Sequence, residues 1–225
     1  MTDSRLAILE RIRSALGPSR EPAPEYAAVP REYIRAGQLD PEERLHLFLE
    51  RLRDYDTHVV ETDAASVPAT VLSILRSNGQ KKVIVADGLP ANLLPSEFRF
   101  LPERQATVQD LDDCDGIVTL CTVAIAWTGT IALTHGPGEG ARRLTLLPDR
   151  HLCIVRADQV VETVPEAIER LASSTPLVTL ISGPSATADI EMTRIRGVHG
   201  PRSLDVVLVR QGLSAGFTPS HQALP

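Results

Sequence analysis

A polar segment that follows an apolar stretch carries the side chains best suited to chemistry. Residues 178–181 are typical of a buried strand, and hydroxyl and carboxylate side chains follow them directly. Open α/β sheets bind ligands beyond the carboxyl ends of their strands, so the segment predicts a binding loop. A helix N-cap with acidic residues in its first turn explains the same pattern equally well. The segment contributes Gly183, Pro184, Ser185, Thr187, Asp189 and Glu191 as candidate site residues.

A histidine between glycines forms a second candidate. The flanking Gly197 and Gly200 allow tight or positive-φ backbone, which would aim the imidazole of His199 into a cleft. The alternative is a plain turn with a solvated histidine. A Ser–His–Asp hydrolase built from Ser185, His199 and Asp189 is disfavoured, because the chain lacks the G-x-S-x-G pattern around a nucleophile.

Two further segments favour an anionic ligand. The turn Thr128-Gly129-Thr130 offers hydroxyls and backbone N–H groups to a carboxylate or phosphate, although a ligand-free hairpin turn fits as well. The glycine-rich stretch that begins at His135 lacks G-K-[ST] and G-x-G-x-x-G, which favours a mobile hairpin over a nucleotide site. Its Arg142 and Arg143 concentrate positive charge beside the turn.

Composition excludes several classes of protein. A hydrophobic fraction of 43% over 225 residues supports a folded core, and the net charge of −6 argues against a nucleic-acid partner. The absence of a run of about 18 apolar residues and of a signal-peptide pattern predicts a cytoplasmic protein without a membrane span. Three widely spaced cysteines, Cys114, Cys121 and Cys153, predict buried thiols rather than disulfides or metal ligands.

Alternating strands and helices must position these segments. A helix start is indicated at Asp40-Pro41-Glu42-Glu43, which combines a capping aspartate, a proline at the first position and a glutamate three residues on. A similar start at Thr163 precedes another helix, and the strand–helix–strand order predicts parallel βαβ crossovers in an α/β fold. The expected buried helix faces are Leu45, Phe48, Leu49, Leu52 and Val67, Val71, Ile74, Leu75; strand-like segments are 57–60, 82–86, 116–133, 144–147, 152–155, 178–181 and 204–209.

The amino-terminal residues are set apart from this pattern. Leu6, Leu9, Ile12 and Leu16 share one helical face, Gly17 supplies a stop, and prolines follow. We therefore predict an amphipathic helix and proline-rich linker over residues 1–38, an α/β domain over 39–215 and a flexible tail over 216–225.

Taken in order, these segments resemble the LUD-domain family over about residues 40 to 210. The resemblance implies a Rossmann-like, mostly parallel sheet with flanking helices, similar to the sugar-isomerase and CoA-transferase group of α/β folds. Trp127 stands where the family usually carries an acidic residue, whose role would then be absent here or pass to Asp189 or Glu191. The matching residues are Thr128-Gly129-Thr130, Leu146-Leu147-Pro148 with His151, Gly183-Pro184-Ser185-x-Thr187-x-Asp189-Ile190-Glu191 and Gly197-x-His199-Gly200-Pro201.

The resemblance also implies a role in oxidising L-lactate to pyruvate, as the cysteine-poor component beside two iron–sulfur proteins. The chain would bind a small carboxylate such as lactate or pyruvate, or a partner subunit, and would hold no cofactor itself. Alternatives are a stand-alone enzyme acting on an anionic sugar or acyl substrate, and a non-catalytic assembly factor that docks through its amino-terminal helix. The expected catalytic residues are His199, His151, Asp189 and Glu191; the expected ligand-binding residues are Thr128, Gly129, Thr130, Arg142, Arg143, Gly183, Pro184, Ser185, Thr187 and Gly200.

Overall fold

The computed structural model describes residues 2–17, 28–30, 32–171, 177–187, 195–196 and 199–210. The chain divides into two compact units, Met1–Tyr33 and Ile34–Pro225. The helices are α1 (Thr2–Leu16), α2 (Pro41–Asp54), α3 (Val67–Ser77), α4 (Val108–Asp112) and α5 (Val164–Leu171). The strands are β1 (His58–Thr62), β2 (Val83–Val85), β3 (Phe100–Pro102), β4 (Gly116–Thr119), β5 (Val123–Ile125), β6 (Thr130–Leu133), β7 (Arg150–Arg156), β8 (Val160–Val161), β9 (Thr179–Ile181), β10 (Ala186–Thr187), β11 (Ile195–Arg196) and β12 (Ser203–Val209).

The helix predicted at the amino terminus is present as α1. It ends at Gly17, whose φ of +69° lies in the left-handed region that glycine adopts at helix ends. The backbone N of Gly17 donates to the carbonyl oxygen of Arg13 at 3.1 Å, which satisfies one terminal carbonyl. Most of the predicted linker and the whole predicted tail lie outside the described residues.

Helix α2 confirms its predicted start, and α2 and α3 both confirm their predicted buried faces. Asp40 Oδ1 accepts from the backbone N of Glu42 and of Glu43 at 2.9 Å, and the Glu43 carboxylate accepts from Asp40 N. This reciprocal capping box explains why α2 begins where it does. The predicted apolar faces are buried in both helices, as Leu45, Phe48, Leu49 and Leu52 in α2 and as Val67, Val71, Ile74 and Leu75 in α3.

Six parallel strands form the main sheet, in the order β1-β12-β7-β4-β2-β3. Side chains alternate between its faces along each strand. In β7, Leu152 and Ile154 pack with the apolar face of α3, whereas Cys153 and Val155 pack with α2 and a second sheet. The predicted α/β class with a mostly parallel sheet is therefore confirmed. The first strand–helix–strand unit does not join neighbours, because three other strands separate β1 from β2.

The second sheet has four strands in the order β8-β5-β6-β9 and was not predicted as a separate layer. Strands β5 and β6 are antiparallel and meet at the predicted turn around Gly129. Strand β9 is at the edge of this sheet, and Leu180 is 61% exposed, so the prediction of a buried strand over residues 178–181 is wrong about burial. The strand-like character predicted for residues 144–147 is also wrong, because Leu147 N bonds to Arg143 O within a turn.

All three cysteines are buried free thiols, as predicted. Cys121 and Cys153 lie in the core between the two sheets. A hydrogen bond from Cys153, together with burial, raises the pKa of the Cys121 thiol. In the described part of the chain, every helix is too short or too polar to cross a membrane.

Candidate functional site

A cavity of about 240 Å³ lies where the loop after β9 meets the amino ends of β7 and β12. It therefore follows the carboxyl end of a strand, as predicted, but that strand belongs to the second sheet. At the main sheet the cavity lies at the amino ends of the strands instead. Seven residues selected from the sequence line it, namely Arg142, His151, Gly183, Pro184, Ser185, His199 and Gly200.

His151 is the most deeply buried polar residue of this cavity, with an exposure of 1%. Its Nε2 shares a hydrogen bond of 2.7 Å with the hydroxyl of Thr119, and its Nδ1 has no partner among the described residues. Burial lowers the pKa of His151 to about 4, because the low-dielectric surroundings disfavour the imidazolium. At neutral pH the ring is an uncharged hydrogen-bonding group with one nitrogen left over.

Two loops close around Ser185. Its backbone N donates to the carbonyl oxygen of Pro201 at 2.8 Å, and its hydroxyl oxygen accepts from the backbone N of His199 at 3.2 Å. These bonds hold the loop after β9 against the loop that enters β12. No acceptor among the described residues takes the proton of the Ser185 hydroxyl, and the exposed His199 lies at the rim of the same cavity.

Gly183 is required by its surroundings rather than by a ligand. Its φ is +81°, and a Cβ at this position would lie 2.5 Å from the Cβ of Tyr55, directly after α2. Only glycine accommodates both the left-handed backbone and this close approach. The position of the cavity loop is thus set by the end of α2.

Arg142 supplies positive charge to the cavity. Its Nη1 donates to the hydroxyl of the buried Thr145 at 3.0 Å, and that hydroxyl donates back to Arg142 O at 3.2 Å. None of the described residues that line the cavity is acidic. The electrostatics therefore favour an anionic ligand. Arg143 is exposed and does not line the cavity.

The small-residue turn lies behind the cavity rather than in it. The hydroxyls of Thr128 and Thr130 are 2.7 Å apart, and Thr130 shares another 2.7 Å hydrogen bond with Ser182, which lines the cavity. A Cβ at Gly129 would lie 2.8 Å from the Cβ of Arg51, so α2 can pack this closely against the turn only because residue 129 has no side chain. The turn supports the cavity loop through Ser182.

The glycine-rich stretch is held in place by hydrogen bonds. The buried carboxylate of Glu139 accepts from the backbone N and the hydroxyl of Thr134. The ring of His135 bonds Gly140 O through Nδ1 and the hydroxyl of Thr179 through Nε2, both at 2.8 Å. Because Thr179 lines the cavity, the stretch braces the cavity wall instead of forming a free hairpin.

Some predicted residues do not line the cavity or lie outside the described residues, and sequence reasoning missed others. Asp189 and Glu191 lie outside the described residues, and Thr187 is described only as backbone paired with Ile195. Trp127 is 40% exposed and is not a lining residue. The described residues hold no group of three or more His, Cys, Asp or Glu side chains suited to a metal.

Sequence reasoning missed Thr119, Thr145, Ser182 and Thr179, whose roles depend on pairings between distant segments.

A parallel six-stranded sheet with flanking helices and a second mixed sheet define a Rossmann-like α/β protein, with a polar cavity where the two sheets meet. The chain belongs to the LUD domain family, whose model matches residues 40–209. The family resemblance inferred from the sequence segments is therefore confirmed.

Relatives of known name and structure cover most of the chain. A protein of Deinococcus radiodurans named Lactate utilization protein C is 40% identical over 212 residues, which are 92% of this chain and 96% of the relative. A protein of the same name from an Exiguobacterium species is 29% identical over 222 residues, with 92% and 96% covered. The crystal structure of a DUF162 family protein from Deinococcus radiodurans is 38% identical, with a TM-score of 0.67, and covers 76% of this chain and 99% of that chain.

Proposed function

We propose that the chain takes part in lactate utilization and that its cavity binds a small carboxylate, lactate or pyruvate. The observation that carries this proposal is the buried His151, whose Nδ1 has no partner within the described structure, in a cavity that also contains Arg142. A buried polar atom without a partner is rare and costs free energy unless a ligand or water satisfies it. The names of the relatives support the choice of lactate and pyruvate among small carboxylates.

Both redox forms of the ligand suit His151. The hydroxyl of Thr119 either donates to Nε2 or accepts from it, so the neutral ring presents at Nδ1 either an N–H or a lone pair. An N–H donates to the keto oxygen of pyruvate, and a lone pair accepts from the hydroxyl of lactate. The Arg142 guanidinium would bind the carboxylate, since its planar donors match two carboxylate oxygens.

Oxidation of lactate to pyruvate releases two electrons and two protons, so the proposal needs an electron acceptor. We assign that role to two iron–sulfur partner proteins, with this chain as the component that binds the carboxylate. In this arrangement the exposed His199, at the rim of the cavity, is placed to pass a proton to solvent. Ser185 would hold the backbone of His199 in place at the rim, because the Ser185 hydroxyl accepts from the His199 backbone N.

The test is lactate-dependent dye reduction in extracts of cells that lack this gene, with and without the purified protein. We expect the wild-type chain and Arg143→Gln to restore the activity and Arg142→Gln to restore about a tenth of it or less, as for a lost charge-assisted pair. Arg143 is the matched control because it neighbours Arg142 but lies outside the cavity lining. Equal rates with and without the protein would show that the chain has no role in lactate oxidation.

A binding measurement on the purified chain tests the cavity independently of the rate of lactate oxidation in extracts. Calorimetric titration of the purified chain with pyruvate should show binding that Arg142→Gln weakens and Arg143→Gln does not. If the two variants bind alike, the cavity is not the carboxylate site. Turnover of an anionic sugar or acyl substrate by the isolated chain would favour a stand-alone enzyme instead.

A further inference from the structure

A second cavity, of about 290 Å³, opens at the same edge of the main sheet. Pro184 and Leu204 line both cavities, so the two are neighbours. Leu204 packs on the α2 side of β12, whereas Val207 packs on the α3 side, two residues beyond Asp205. Since side chains alternate along a strand, Asp205 lies on the α3 side, where Ser77 and Asn78 at the end of α3 also line the second cavity.

A buried carboxylate and a histidine form the core of this cavity. Asp205 is 4% exposed, and its Oδ1 is 2.8 Å from Nδ1 of His58. The two residues are opposite each other in the register of β1 and β12, which places both side chains on one face. Asn78, just after α3, is 3.5 Å from the other carboxylate oxygen, so this second contact is long.

The carboxylate determines the tautomer of His58. An ionised Asp205 only accepts hydrogen bonds, so the neutral ring carries its proton on Nδ1 and exposes a lone pair on Nε2. The His58 side chain is 60% exposed, and its Nε2 has no partner among the residues that the structure describes. A carboxylate that orients an imidazole in this way is the arrangement that makes histidine an effective proton acceptor.

Two arginines provide positive charge at the same place. Arg150 and Arg202 line the cavity, and within the described part of the chain Arg150 forms no ion pair. Arg202 is 3.4 Å from Asp149 in a pair that is largely exposed and therefore weak. The acidic residues of the lining are Asp56 and Asp205, and the second of these is engaged by His58.

We propose that the second cavity binds a small oxyanion that carries an O–H group. Arg150, with Arg202 beside it, binds the anionic oxygens, and the Nε2 of His58 accepts the hydrogen bond from the O–H. This chemistry is shared by a protonated phosphate and by a 2-hydroxycarboxylate. Asp205 acts through His58 and is a positioning residue. The site is separate from the Arg142 cavity, with its own cation and its own histidine.

The test uses the full chain and three probes at millimolar concentration, namely inorganic phosphate, glycolate and acetate. Nuclear magnetic resonance follows the imidazole signals of His58, identified by their loss in His58→Gln. We expect phosphate or glycolate to shift these signals and acetate, which lacks the O–H at neutral pH, to bind more weakly. A response to phosphate alone identifies a phosphate-type ligand, and a response to glycolate alone identifies a hydroxycarboxylate.

The variants locate the binding site. Arg150→Gln should raise the Kd for the bound probe by about tenfold, as expected for a lost charge-assisted pair, while Arg142→Gln leaves it unchanged. Asp205→Asn should weaken binding and alter the His58 tautomer signature in the nitrogen spectrum. If Asp205→Asn does not fold, the Kd of the probe for Arg150→Gln, compared with the wild-type value, still tests the proposal. Absence of His58 shifts with both phosphate and glycolate, or an unchanged Kd in Arg150→Gln, overturns the proposal.

Discussion

The hydroxyl of Thr119 and the Nε2 of His151 are 2.7 Å apart, across neighbouring parallel strands of the main sheet. Register places Ile117, two residues before Thr119, opposite His151, so Thr119 reaches the ring from the same face. The bond holds the imidazole in one orientation and leaves Nδ1 as the ring atom without a partner in the described chain. The stability of this region therefore depends on the pair, and so would the carboxylate binding that we propose for the cavity.

Removing the Thr119 hydroxyl should destabilise the protein without changing its shape. Thr119→Val keeps the side-chain volume but leaves the buried Nε2 of His151 without its hydrogen-bond partner. We therefore expect a loss of about 1–3 kcal/mol in the free energy of unfolding. Thr119→Ser keeps the hydroxyl and serves as the control, with a smaller loss from the missing methyl group. Urea denaturation of the three proteins measures the difference. Equal losses in the two variants would show that the hydrogen bond is not the cause.

Burial of His151 predicts a specific pH dependence of stability. Its pKa is about 4 in the folded state against 6.5 for the free side chain, so between these values the unfolded chain binds more protons. Stability should therefore fall as pH decreases from 6.5 towards 4, with a contribution of roughly 3 kcal/mol from this residue. Above pH 6.5 the pH dependence from this residue fades, because the unfolded side chain then loses its proton as well.

Comparison of variants isolates that contribution. Denaturation curves at several pH values should show a shallower decline for His151→Gln than for the wild type. His46→Gln, on the exposed side of α2, is the control and should keep the wild-type slope. An identical slope in His151→Gln would mean that the ring is not buried as a neutral group.

Two glycines with similar backbone angles should respond differently to alanine. Gly79 has φ +66°, and a Cβ added there would meet nothing within 4 Å, so Gly79→Ala should cost about 1 kcal/mol from the backbone alone. Gly183 has φ +81° and would place a Cβ 2.5 Å from that of Tyr55, which adds a steric clash. We expect Gly183→Ala to lower the melting temperature well beyond Gly79→Ala. Similar melting temperatures would contradict the close contact with Tyr55.

Ser185 should matter more for ligand binding than for folding. Ser185→Ala removes the acceptor of the His199 backbone N at the surface of the cavity, so the stability change should not exceed about 1 kcal/mol. Pyruvate binding and the restored lactate-dependent rate should both fall. Asp189 lies outside the described residues, and we expect Asp189→Asn to lower pyruvate binding and the restored rate with a similarly small change in stability. Full function in both variants would leave this segment with a structural role only.

Much of the local structure follows from the sequence because it depends on neighbours along the chain. The capping box at Asp40 needs only residues within one helical turn, and the buried faces of α2 and α3 follow from their apolar spacing. The α/β class follows from the alternation of these helices with apolar strands. The glycine and hydroxyl pattern also indicated the segments that line the cavity, since such residues are concentrated in turns.

Pairings between distant segments were decided only by the tertiary structure. Strand β12 lies beside β1, although the two are far apart in the chain, and β9 lies at the edge of the second sheet. The contact between Thr119 and His151 likewise joins two segments that are distant in the sequence. Strand order depends on which long loops close, and residue spacing carries little information about that choice. The same holds for Gly129 and Gly183, which the sequence marks as flexible turns. Only the packing of α2 shows that they are glycines because Arg51 and Tyr55 leave no room for a side chain.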